Sequence, residues 1–419
     1  MHPRDLASLA GEETIFGGFA AEKLERLQAE LEPLSGRYDV VVANPPYMGS
    51  KNMNKWLGDW VKTHHKDVKG DLFSCFMVRN VGMGAEHAQL GFMTPYVWMF
   101  IGTYEKLRKF VIQQNTITSL IQLEYSGFSG ATVPICTFTL QKGYCPGYRG
   151  GYVRLSDFVG ADQQAPRALE AFANPDCGWL YRCSASVYSS VPGTPIVYWV
   201  NETVVSAFEK GVPLSSVSQP KVGLQTGENA RFVRQWWEVS LDREWFDCPS
   251  AEESAKSGLK WFPYNKGGEY RKWYGNNDCV VNWGDDGKDV RDFGGSVIRN
   301  QQCYFKPCIT WSKISSGLIA FRYKPAGHVF DVAGTSIFAE HGRLAYLHGA
   351  CNSSVMLKIA SMLSPTLNFE VGQIAAYPII IDKHKEKIAE NLVDENRLLS
   401  KADWDAFESS WDYVRHPLI

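Results

Sequence analysis

Residues 38–50 read YDVVVANPPYMGS, and this stretch decides how the first half of the chain must be built. The run Val40-Val41-Val42-Ala43 is β-branched and apolar, the composition of a buried strand. Asn44-Pro45-Pro46-Tyr47 then stops it. Two consecutive prolines lack backbone N–H groups and fix φ, so they neither extend a ladder nor enter a helix interior. An amide and an aromatic ring therefore stand at the tip of a strand, held by a rigid turn.

Working outward, residues 18–34 place Phe19, Leu24, Leu27, Leu31 and Leu34 at helical spacing, and Ser35-Gly36 ends that helix. After the turn, DLFSCFMVRNVGMG (71–84) reads as a helix and QLGFMTPYVWM (89–99) opens with a strand that Pro95 ends. TYEKLRKFVIQQ (103–114) reads as a helix; ITSLIQLEY (117–125) and TVPICTFTLQK (132–142) read as strands. The alternation is that of a parallel α/β sheet. The closeness of the last two strands, joined by SGFSGA, predicts an antiparallel hairpin at one edge. From residue 146 the passage GYCPGYRGGY reads as a boundary. We expect a helical lead-in over 1–36, a catalytic region over 37–145 and a linker or insert over 146–216. A mixed α+β domain of short strands and many turns follows over 217–380, LNFEVGQIAAYPI (367–379) being read as extended, and then a helical segment over 381–419.

Composition narrows the function classes. No apolar run is long enough to cross a bilayer, and MHPRDLASLAGEE has no apolar core of a signal peptide. Ten cysteines occur without a CxxC pair, which predicts reduced thiols in a cytoplasmic protein and no metal site. A net charge of −2 argues against binding nucleic acid through bulk charge, yet it allows a local basic surface. One candidate follows the opening turn: KNMNKWLGDWVKTHHKDVKG carries Lys51, Lys55, Lys62, Lys66 and Lys69 against Asp59 and Asp67.

The turn itself suits one chemistry. An exocyclic amine on a planar base is a poor nucleophile, because its lone pair is delocalised into the ring. An amide oxygen from Asn44 and the carbonyl of Pro45 can accept its two N–H bonds. Together they favour a tetrahedral nitrogen and stabilise positive charge developing there during methyl transfer. The prolines fix the direction of the carbonyl, and Tyr47 offers a face for the base.

A strand running into Asn44-Pro45-Pro46-Tyr47 resembles motif IV of S-adenosylmethionine-dependent amino-methyltransferases, chiefly the DNA adenine-N6 enzymes. KGDLFSCFMVRN is similar to motif V, and the resemblance puts Phe76, with Pro46, at the cofactor. QLGFMTPYVWM and YEKLRKFV resemble motifs VI and VII. SGFSGATVPICTFTLQK resembles motif VIII, which assigns Phe128 to stacking on a flipped-out base opposite Tyr47. The segments at 222–239, 309–323, 367–379 and 403–418 resemble the target-recognition half of PglX-type methyltransferases of BREX phage-defence systems. That family implies methylation of adenine N6 in a short non-palindromic site of double-stranded DNA, marking host DNA as self, with other phage-defence proteins as partners. Arg271, Lys272, Asn300, Gln301 and Gln302, in YNKGGEYRKWYGNN (264–277) and VIRNQQCY (297–304), are candidate base readers by residue type.

One part of the family pattern has no counterpart. The cofactor's glycine-rich turn should follow a strand well before motif IV, and IFGGFAAEKL has Gly17 and Gly18 with no strand ahead of them. The fold expected is thus the C-terminal part of a Rossmann-like seven-stranded methyltransferase sheet. YDVVVA would be its open edge, a fragment or one half of a split enzyme completed by a companion chain, and weak in binding S-adenosylmethionine alone. Two other readings stay open here: a non-catalytic DNA-recognition module, and an Asn-Pro-Pro-Tyr methyltransferase acting on protein glutamine or RNA.

Overall fold

The computed structural model describes residues 17–127, 133–189, 191–200, 202–315, 317–340, 342–363 and 368–419. The chain divides into two compact units, Met1–Trp199 and Val200–Ile419, so the stretch expected as a linker is split between them.

The first unit is built on α1 (Gly17–Ser35), β1 (Tyr38–Ala43), α2 (Lys55–His64), α3 (Leu72–Met83), β2 (Gly84–Pro95), α4 (Glu105–Gln114), β3 (Asn115–Gln122), β4 (Ile135–Lys142), β5 (Arg149–Arg154), α5 (Ala161–Ala173) and β6 (Leu180–Ser184). Its sheet has six strands in the order β1-β2-β4-β3-β5-β6. β1 lies parallel to β2, with Val41 opposite Leu90 and Ala43 opposite Phe92. β4 runs antiparallel to both β2 and β3, and β5 is parallel to β3.

The expected β3–β4 hairpin forms, but it lies inside the sheet rather than at its edge. The reason is in RGGYVR, part of the glycine-rich passage read as a boundary. Gly150 sits so close to β3 that a Cβ there would fall 2.5 Å from the Ile117 carbonyl, while Tyr152 and Val153 are buried. The glycine serves close strand approach, and the pattern imitates a turn.

Trp98, Leu107, Val111, Leu120, Phe138 and Leu140 form buried parts of this unit. Arg108 is buried among them. Its guanidinium donates to the carbonyls of Trp98 (2.8 Å), Ile101 (2.7 Å), Gly193 (2.6 Å from Nη2) and Thr194 (3.1 Å). Burial lowers its pKa to about 10. The other flank is bare: Val40 and Val42 on β1 are 63% and 78% exposed, and Leu27, Leu31 and Leu34 on α1 are exposed too.

The second unit carries α6 (Glu202–Lys210), β7 (Gln219–Lys221), β8 (Val233–Gln235), β9 (Trp261–Asn265), β10 (Cys279–Asn282), β11 (Cys308–Trp311), β12 (Phe321–Lys324), β13 (Val329–Phe330), β14 (Ser336–Phe338), α7 (Arg343–Asn352), α8 (Ser354–Leu363) and α9 (Glu386–Trp404). Two four-stranded sheets form, β13-β9-β10-β8 and β12-β11-β14-β7. Residues read as extended over 367–379 instead contain the helix Val371–Ala375 and only the two-residue strand Pro378–Ile379. Glu370 and Gln373 close a capping box there, a local signal that outweighs the β-branched content. On α7, His348 accepts the Arg397 guanidinium N–H at Nδ1 (3.0 Å) and faces the Phe321 carbonyl through Nε2 (3.0 Å). Burial, with Arg397 adding to it, lowers this imidazole's pKa to about 3, so it is neutral. No helix among the described residues is long and apolar enough to cross a membrane.

Candidate active site

β1 delivers the Asn44-Pro45-Pro46-Tyr47 turn at its C-terminal end. Pro45 is buried, whereas Asn44, Pro46 and Tyr47 are exposed. The Tyr47 hydroxyl lies 3.2 Å from Asn44 Oδ1 and 3.2 Å from the Met93 carbonyl on β2. The turn is thereby tied to the neighbouring strand, and the second lone pair of the Asn44 amide oxygen is left for another donor. The Tyr47 ring meets Phe73 edge-on, centroids 6.4 Å apart, and Phe73 in turn packs against Tyr104 at 5.4 Å. Partial burial, with the Cys136 thiol nearby, raises the Tyr47 pKa, which keeps the phenol protonated.

The downstream side of the turn is held by Asp71. Its Oδ1 caps α3 by accepting the Phe73 amide (3.2 Å) and also accepts the Met48 amide (2.8 Å). The Leu72 amide returns a bond to the Met48 carbonyl (3.0 Å), and the Ser50 amide bonds the Gly70 carbonyl (3.0 Å). Burial raises the Asp71 pKa against the pull of these backbone N–H bonds. Asp71, Phe73 and Met93 escaped the reading of the motif. Asp71 had a visible signal, an acidic residue just ahead of an apolar helical run, the usual mark of an N-cap.

Phe76 lies one turn beyond Phe73 on α3 and is 40% exposed. Phe128 lies outside the described residues. In the second unit, Arg271 pairs with Asp403 (2.8 Å) and sits over the Trp404 ring (5.0 Å). Lys272 donates to the Asn352 carbonyl (3.1 Å), and Asn300, at φ +49°, donates to the Val222 carbonyl (2.9 Å). Gln301 donates to Asp286 (3.0 Å). These four side chains therefore have a packing role within the unit, while Gln302 is exposed.

The chain is 33% identical over 398 residues to the adenine-specific methyltransferase PglX of Lacticaseibacillus casei (strain Zhang), covering 92% of this chain and 33% of that protein. The methyltransferase BrxX of Escherichia coli O9:H4 (strain HS) gives 33% identity over 393 residues, 92% of this chain and 31% of that protein. The chain thus spans about a third of the length of these curated relatives. The family described as Eco57I restriction-modification methylase matches residues 14–128, which include the Asn44–Tyr47 turn, α3 and β2 to β3.

Solved structures agree at the level of fold. The Type ISP restriction-modification enzyme LlaGI, determined with a DNA substrate mimic, superposes with a TM-score of 0.55 at 13% identity, over 94% of this chain and 37% of that one. The Type IIL enzyme MmeI, determined with DNA, gives a TM-score of 0.55 at 9% identity, over 89% of this chain and 50% of that one.

Proposed function

We propose that this chain carries the catalytic turn and the target-recognition part of an S-adenosylmethionine-dependent DNA adenine-N6 methyltransferase of the BREX type. The observation that carries the reading is the exposed Asn44 amide beside the buried, fixed Pro45 at the end of β1, backed by the edge-on Tyr47–Phe73 and tilted Phe73–Tyr104 ring contacts. Adenine as the base is supported by the names of the relatives, and DNA as the substrate by the restriction-modification methylase family match and by the DNA-bound structures of LlaGI and MmeI.

In this reading Asn44 Oδ1 and the Pro45 carbonyl accept the two N–H bonds of the adenine amine and turn its lone pair outward. Tyr47 stacks on the extruded base, and the motif resemblance gives Phe128 the opposite face. When bound, S-adenosylmethionine supplies a sulfonium methyl group; the nitrogen takes the methyl and the sulfur keeps the bonding pair. The proton then leaves the nitrogen to water, so no side chain needs a tuned pKa. Exposed Pro46 and Phe76 would hold the adenine end of the cofactor. Gln302, with Arg271, Lys272, Asn300 and Gln301 as far as their packing contacts allow, belongs to the proposed recognition surface.

The cofactor's remaining contacts would come with strands added at β1. Among the described residues β1 pairs only with β2, and its outer valines and the leucines of α1 are uncovered. An apolar strand left as an edge is a pairing site. Three further strands there, joined to β1, β2, β4 and β3, would make a seven-stranded methyltransferase sheet with β5 and β6 added at its far edge, whether they come from a longer polypeptide or from a companion chain. Isothermal titration of S-adenosylmethionine into this chain should give little or no heat, and micromolar binding would sink the claim. Adding a polypeptide that carries the cofactor strands should yield N6-methyladenine in duplex DNA. Duplex binding without methyl transfer under those conditions would instead establish a recognition module.

A further inference from the structure

A groove of about 560 Å³ opens between α2, the segment that leads into α3 and the start of α4. Its wall begins at Ser50, three residues after Tyr47 and tied by its amide to the Gly70 carbonyl. Lys55, Lys62, Lys66, Lys69 and Lys106 line it, against Asp59 and Asp67. Both acids are already neutralised from within: Lys106 pairs with Asp67, and Lys62 lies 3.4 Å from Asp59. The Lys106 contact, helped by Lys66, holds the Asp67 carboxyl below the usual range. Lys55, Lys66 and Lys69 have no ion-pair partner among the described residues, and all three are exposed. Uncompensated ammonium groups lining one concave surface, in a chain whose net charge is −2, mark a local site for anions.

We propose that this groove binds the sugar-phosphate backbone of duplex DNA next to the base presented to Asn44. The inference rests on the adenine-methyltransferase reading and names the surface that holds its substrate. Charge complementarity selects the occupant: a polyanion with regularly spaced phosphates satisfies several lysines at once. The adjoining face of α2 fits the same partner. Trp56 and Trp60, one turn apart, are 74% and 41% exposed, and His64 stacks on Trp60 at 4.7 Å. Flat rings beside a phosphate-binding wall are suited to bases unstacked near an extruded nucleotide. The ammonium groups fix the duplex sequence-independently, so the groove sets register and affinity rather than target choice.

The test is the salt dependence of binding by the full chain to a labelled duplex, read by fluorescence anisotropy. Neutralising Lys55, Lys66 and Lys69 together (K55Q/K66Q/K69Q) should lower the slope of log affinity against log salt by about one unit per lysine. The same number of exposed lysines removed elsewhere, Lys383, Lys385 and Lys387, should leave it unchanged. Thermal unfolding of both variants should match the wild type, since none of these side chains is buried. A groove variant that keeps the wild-type slope, while the wild type binds and methylates DNA once the cofactor strands are supplied, overturns the groove alone. A wild type with no salt-dependent binding overturns the groove and the DNA reading together. If inorganic phosphate, at ionic strength matched with chloride, displaces duplex from the wild type but not from the variant, the groove is a small-anion site and the backbone assignment fails.

Discussion

Asp71 Oδ1 lies 2.8 Å from the Met48 amide, so the residue that caps α3 also anchors the turn carrying Asn44 and Tyr47. The same oxygen accepts the Phe73 amide, and Phe73 is the ring against which Tyr47 rests. One carboxylate therefore sets both the backbone path after the turn and the position of its aromatic support. Asp71 is a positioning residue in the proposed mechanism, because it touches neither base nor methyl donor.

Substitution of Asp71 separates these roles. Asp71→Ala leaves two amides without their acceptor and should cost about 1–2 kcal/mol in thermal or denaturant unfolding. Methyl transfer in the completed enzyme should fall with it, through kcat more than KM. Asp71→Asn keeps an oxygen acceptor and should recover most of both, whereas stability restored without kcat would give the carboxylate charge itself a part in catalysis.

Asn44→Ala removes the proposed amine acceptor from an exposed position, so the fold should be unaffected. We expect methyl transfer, measured with the cofactor strands supplied, to fall by about 10²–10³-fold or more, the usual scale for loss of one preorganised group. Duplex affinity should stay within about twofold of the wild type. Matched losses in binding and rate would place Asn44 in DNA contact rather than in catalysis.

Arg108→Ala tests the buried guanidinium. The change removes the donor from the carbonyls of Trp98, Ile101, Gly193 and Thr194, the bonds to Trp98 and Thr194 being buried, and opens a cavity. A loss of about 3 kcal/mol or more is expected in denaturant unfolding, and Arg108→Lys, with fewer donors, should recover only part. A loss under about 1 kcal/mol for the alanine variant would mean water replaces the guanidinium.

Glu244 gives a pH signature in the second unit. It is buried, neither carboxylate oxygen has a hydrogen-bond partner among the described residues, and desolvation raises its pKa to about 7. The unfolded state, with a carboxyl near its usual value, gives up its proton first, so stability contributed by this group is lost as pH rises from about 4.5 to 7. Glu244→Gln should therefore stabilise the protein at pH 8 by about 1–2 kcal/mol, allowing for partial screening by solvent, and by little at pH 4. A pH-independent difference in Tm would show that the charge is not the cause.

Much of the first unit could be read along the chain. Helix and strand periodicity, with the prolines at 45, 46 and 95, set the order of elements from α1 to β4 apart from α2, because those signals are local. The Asn-Pro-Pro-Tyr turn at the end of β1 was legible for the same reason, since two adjacent prolines stop a strand wherever they stand. What could not be read depended on neighbours distant in sequence. RGGYVR reads as a boundary until β3 is seen to need glycine's small volume beside it. Arg271, Lys272, Asn300 and Gln301 have the residue types of base readers, yet their partners, Asp403, Asn352, Val222 and Asp286, lie far along the chain.

The sequence by itself determined that a strand ends in Asn44-Pro45-Pro46-Tyr47, because two prolines leave the backbone no other course. Tertiary structure decided what that turn can do. Met93, Asp71 and Phe73 come from other elements, and only folding brings them around Tyr47. The groove follows the same rule: its lysines are a scattered charge run in the sequence. They become one anion-binding wall only when α2 packs beside the entry to α3, with Lys106 and Lys62 neutralising the acids between them.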